Sequence, residues 1–105
     1  MIRHCVFVRF RPDVGRNQRN AILGEIAALK GRLKGIDAVH LGVNVSPETG
    51  MDKGFAEGFI VDFQNAASRD AYLVDPAHQA AGAKLVAAAD GGVAGILVYD
   101  LEIPA

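Results

Sequence analysis

The segment RDAYLVDPAHQAAG, Arg69 to Gly82, places a tyrosine and a histidine on either side of a proline. Asp75 suits a helix N-cap, where its carboxylate accepts a backbone N–H, and Pro76 suits the first helical position. His78 then falls at the third position, where the partial positive charge of the helix terminus opposes protonation of an imidazole. A neutral His78 is a base or a hydrogen-bond partner at neutral pH. The break at Pro76 lets the Tyr72 and His78 helices change direction, so both side chains can point into one space between helix and sheet. The plain alternatives are a surface or capping histidine and an amphipathic core tyrosine with its hydroxyl at the surface.

Two strand residues join them. His4 stands among Val6, Val8 and Phe10, and Glu57 among Phe59, Val61 and Phe63, each at the apolar parity of an alternating run. A buried ionisable group is costly unless paired. Each therefore reaches water near its strand start or lines a polar pocket, with Phe59 as an apolar wall. If their strands are neighbours, His4 and Glu57 are expected to approach each other, as acid–base catalysis requires of paired titratable groups.

Other motifs fail on geometry. His4 and Cys5 are adjacent in a strand and point to opposite faces, so they form no nucleophile–base pair. The glycines of GGVAG precede a strand rather than a helix, and lack the helix N-terminus that cradles phosphate. His4, His40 and His78 have no metal-ligand spacing. No cofactor or metal is expected.

The elements that must position these residues follow from periodicity. Ile2 to Phe10 alternates as a strand ended by Pro12. Ile22, Ile26, Leu29 and Leu33 mark an amphipathic helix over 17–33. Strands are expected from Val39 to Val45, Phe55 to Phe63 and Ala94 to Ile103, with helices over 66–74 and 76–89. This order, βαββαβ with a split second helix, predicts a ferredoxin-like α+β fold with a four-stranded antiparallel sheet. Helices cover one face, yet Phe7, Ile60, Leu97, Leu101 and Ile103 lie on the other. An apolar face of that kind predicts a homodimer in which two sheets pack together about a two-fold axis.

The totals bound the rest. At 105 residues the chain is expected to be one domain. A net charge of −1 with no polybasic face argues against a nucleic-acid partner. Arg9, Arg11, Arg16 and Arg19 are expected on a solvated rim. One cysteine suits a reducing cytoplasm. No stretch approaches the length of a membrane span, and the N-terminus does not read as a signal peptide.

With these residues in place, the chain resembles the Dabb family, the stress-responsive dimeric α+β barrel domain. The resemblance rests on the strands IRHCVFVRF, KGFAEGFIVDF and GILVYDLEI and on AYLVDPAHQAAG. It implies a homodimer with a cavity between sheet and helices. A plant member, olivetolic acid cyclase, uses a tyrosine and a histidine there to close a polyketide. The matching positions are Tyr72 and His78, with a pocket histidine matching His4. Another pocket histidine falls on Glu57, a departure that changes the charge of the pocket. The resemblance implies a small, partly apolar ligand and cofactor-free acid–base chemistry next to a carbonyl. The alternative is a non-catalytic, stress-associated or ligand-binding dimer.

Overall fold

A computed structural model of the protein describes residues 1–104. Strand β1 spans Ile2–Val8, helix α1 Arg16–Ala28, β2 Ile36–Val43, β3 Glu57–Phe63, α2 Ala66–Val74, α3 Pro76–Ala88 and β4 Ile96–Glu102. All four strands form one antiparallel sheet in the order β2-β3-β1-β4, the ferredoxin-like α+β arrangement that the pattern predicts.

The boundaries differ where local geometry breaks the periodicity. Helix α1 stops at Ala28 and tightens into a 3-10 turn over Leu29–Gly31. β2 begins at Ile36, earlier than alternation suggests, because a register shift between Ile36 and Ala38 disrupts the period-2 signal there. β4 starts only at Ile96, since Gly92–Gly95 forms a second 3-10 turn entered through left-handed Gly91.

One face of the sheet is closed by the helices. Ile22, Leu23, Ile26 and Leu29 pack with Val6, Val8, Phe59, Val61 and Phe63, and Tyr72, Ala81 and Leu85 complete this core. On the opposite face Leu97, Tyr99 and Leu101 remain 43–48% exposed beside half-buried Phe7 and Ile60. One end of that face is ionic: Arg3 pairs with Asp62 in two hydrogen bonds, and His40 approaches the same carboxylate at 3.2 Å.

Gly95 ties the strand ends together. Its carbonyl accepts from Arg9 N at 2.8 Å, and Asp90 N donates to the Arg9 carbonyl at 2.7 Å. A Cβ at Gly95 would meet the Asp90 carbonyl and lie 3.1 Å from the Arg9 carbonyl, both of them backbone. Gly95→Ala is therefore expected to lower unfolding free energy by about 1–3 kcal/mol in urea titration. An unchanged midpoint would show that this junction yields freely.

Candidate functional site

β1 carries His4 onto the helix-covered face, opposite Val61 of β3 and Asp100 of β4. The His4 residue is 4% exposed, and its Nδ1 lies 2.6 Å from Asp100 Oδ1. An ionised carboxylate has no proton to give, so Nδ1 donates to it and Nε2 is left to face other groups. The other carboxylate oxygen accepts from Arg69 Nη1 at 2.7 Å, while Arg69 Nε donates to Asp70 at 2.8 Å. Burial pushes the Asp100 carboxyl up, but the hydrogen bonds from His4 and Arg69 outweigh it and hold it below the usual range.

α2 begins on an Asn65 side chain that accepts from Ser68 N, and its last turn directs Tyr72 into the core. The Tyr72 ring lies 5.7 Å from His4, 5.0 Å from Phe63 and 4.1 Å from His78 between centroids. Asp75 then caps α3, accepting from Ala77 N at 3.0 Å and His78 N at 3.3 Å, and Arg32 Nε reaches the same carboxylate at 3.1 Å. The structure thus brings Tyr72 and His78 together across the Pro76 break and places His4 beside them.

The protonation states of Tyr72 and His78 suit general acid–base work. Burial lowers the His78 pKa, helped by nearby His4 and opposed by the Leu73 backbone and Asp75. The direction is that expected for a helix start, but desolvation is the principal cause. Burial alone pushes the Tyr72 phenol far above its usual range, so it keeps its proton as a donor. Tyr72 Oη and His78 Nδ1 are both buried without a hydrogen-bond partner among the described residues. Each such group costs about 1–3 kcal/mol. Fold stability therefore gives no reason for either.

Glu57 corrects the expectation. β1 and β3 are neighbours, but antiparallel register sets Glu57 opposite Val8 and His4 opposite Val61. Four residues at about 3.4 Å each separate them by about 14 Å along the strands, so they do not approach. Glu57 instead accepts from Arg16 Nη1 at 2.5 Å and Arg19 Nη1 at 2.7 Å. Arg19 also donates to the Val14 and Arg11 carbonyls and so braces the loop before α1, whereas Arg16 stays 54% exposed at the rim. Burial pushes the Glu57 carboxyl up, and the two arginines outweigh it to hold it low.

Its contribution to stability is thus full above the ordinary Glu range and lost as pH falls through the lower folded value. Glu57→Gln is expected to cost about 1–3 kcal/mol at pH 7, read from the urea midpoint, because two charge-assisted bonds weaken. A neutral result would show that solvent replaces them.

Phe59 is a core residue opposite Val6, one inward-facing row from the His4–Val61 pair. A groove of about 490 Å³ runs along the open face, with Phe7, Leu41, Phe55 and Leu97 among its lining, and Glu57 and Phe59 also contribute to it. Asp100 and Arg69 were not singled out by the sequence reading. The available signal was Asp100, an acid at the inward parity of β4 after Ile96 and Val98. Among the described residues no group of three or more His, Cys, Asp or Glu side chains could hold a metal ion, and no helix is long and apolar enough to cross a membrane.

The profile of the stress-responsive A/B barrel domain, Dabb, matches residues 2–103. A dimeric ferredoxin-like protein of unknown function from Jannaschia sp. CCS1 is 34% identical, with 97% of this chain and 98% of that one covered and a TM-score of 0.82. At3g17210 from Arabidopsis thaliana is 21% identical over 100% and 97% of the two chains, with a TM-score of 0.88. Hydroxynitrile lyase from Passiflora edulis is 18% identical over 98% and 93%, with a TM-score of 0.85. The last two likenesses concern the fold. No curated protein matches the chain significantly.

Proposed function

Since this chain belongs to the Dabb family of stress-responsive A/B barrel domains, we propose that it is a cytoplasmic homodimer in which Tyr72, His78 and His4 bind a small, partly apolar carbonyl compound and move a proton next to the carbonyl without a cofactor. The observation that carries this reading is the pair of buried polar atoms, Tyr72 Oη and His78 Nδ1, that find no partner among the described residues. A ligand with a carbonyl oxygen supplies an acceptor to the phenol and an acidic C–H to the imidazole. That a hydroxynitrile lyase shares the fold supports lyase-type chemistry on this scaffold, by analogy only.

His78 takes the proton from the carbon beside the carbonyl, and the electron pair moves onto the oxygen. The enolate so formed accepts the Tyr72 hydrogen bond. Reprotonation elsewhere isomerises the substrate, attack on a second carbonyl closes a ring, and expulsion of a leaving group completes a lyase reaction. His78 is the partly exposed member of the cluster, so a substrate enters past its ring. At 4.1 Å the Tyr72 and His78 rings are in contact, and binding displaces one from the other.

The dimer forms through the open sheet face, where Leu97, Tyr99 and Leu101 stand exposed together. Dimeric relatives of the same fold support it. Single cysteine Cys5, free and buried, fits a reducing compartment. Titration of neutral aryl ketones into labelled protein tests the site. Shifts centred on the Tyr72 and His78 rings are expected. The rival, a non-catalytic dimer, is favoured by the close packing around Tyr72, which is only 1% exposed. It predicts no shifts there and no turnover of any ketone.

A further inference from the structure

Arg69 lies on α2, three residues before Tyr72, and its guanidinium reaches across to β4. It donates to Asp100 Oδ2 at 2.7 Å, while Asp100 Oδ1 faces His4 Nδ1 at 2.6 Å. The Arg69 side chain is 24% exposed and the Asp100 side chain 25%, against 6% for His4. A charge pair at the rim thus stands directly behind a buried imidazole.

We infer that Arg69 is a positioning residue: through Asp100 it holds His4 as a neutral ring with its proton on Nδ1, leaving Nε2 to accept from a neutral hydroxyl or enol on the ligand. The role of that acceptor in turnover rests on the proposed function, whereas the protonation pattern does not. The groups around His4 are Asp100, Tyr72, Phe63 and, through Tyr72, His78. Only Asp100 among them carries charge when His78 is neutral, and Arg69 cancels it. Asp70 also holds Arg69, but its side chain is 67% exposed and screened by water.

Without Arg69, the Asp100 carboxylate would be compensated by His4 alone, and an opposite charge at this distance favours the protonated ring. His4 Nε2 would then become a donor. The preference at the head of the ligand would reverse, from a neutral hydroxyl or enol towards an anion. The site as built therefore matches a neutral head group that offers one acceptor to Tyr72 and one donor to His4. An enolised dicarbonyl compound or an α-hydroxy ketone has that chemistry; a carboxylate does not.

Long-range proton–nitrogen correlation spectra of the labelled protein at pH 7 test this directly. The wild type is expected to show His4 with protonated Nδ1 and bare Nε2. Arg69→Met is expected to convert most of that signal to a ring protonated on both nitrogens, and Arg69→Lys to restore the wild-type pattern. Asp70→Asn is expected to change nothing at His4. Asp100→Asn supplies a second route should Arg69→Met unfold: Arg69 keeps the amide oxygen, the amide N–H₂ faces His4, and the proton moves to Nε2. A wild-type His4 with its proton on Nε2, or Arg69 and Asp100 variants with unaltered His4 signals, would overturn the assignment. The readout needs no turnover, so the assignment can stand while the proposed reaction fails, and the reverse.

Discussion

His78→Asn is expected to lower turnover of a ketone substrate by about 10²–10⁴-fold, the usual contribution of one general base. The fold should survive, because Asp75 caps α3 through backbone N–H groups that this change leaves in place. Burial lowers the His78 pKa from 6.5, so the wild-type acid limb of kcat/KM should have its midpoint below that value. Above the limb the neutral imidazole is fully available; below it the ring is protonated and the rate falls.

Tyr72→Phe sharpens the test. It removes the enolate's donor, yet deletes a buried hydroxyl that has no partner among the described residues. Lost turnover with unchanged or slightly raised stability, by up to about 1 kcal/mol, is the expected combination. A hydroxyl with a structural role would give lost stability instead.

Leu97→Asp is expected to dissociate the proposed dimer. Leu97 sits on the open sheet face opposite Phe7 and borders the 490 Å³ groove, where a partner sheet would bury it. Placing an unpaired carboxylate in such an interface costs about 3 kcal/mol or more, which raises the dimer Kd by at least about 10²-fold. Sedimentation equilibrium reads the change. Charge at Lys34, exposed in the turn before β2 and outside all four strands, should leave assembly alone when reversed. If Leu97→Asp sediments like the wild type, the two sheets do not meet here.

The sequence made the architecture legible because alternation assigns each strand residue to a face. Val6, Val8, Phe59 and Ile96 lie inward and Phe7, Ile60 and Leu97 outward, as their parity requires. Alternation does not specify the offset between strands, and a slide by two residues leaves every face unchanged. That is why His4 and Glu57 were expected to meet and instead lie about 14 Å apart. Tyr72 and His78 were legible because one proline dictates both the bend and the cap. Asp100 and Arg69 join the site through register and a long side chain, neither of which periodicity encodes.

The same distinction separates the two buried ionic groups. Glu57 is satisfied by two arginines and braces a loop, whereas His4 is satisfied on one nitrogen only among the described residues. Burial and charge mark both equally in the sequence. Partner count, visible only in the fold, distinguishes support from site.

The central claim is that this cluster removes a proton beside a carbonyl, and hydrogen–deuterium exchange reports that step alone. Alkyl aryl ketones incubated in D₂O with the protein and followed by proton NMR should lose their α-C–H signal faster than in buffer. The acceleration should disappear in His78→Asn. Exchange at the buffer rate with wild-type protein across the ketone panel, or equal acceleration by His78→Asn, would contradict the account.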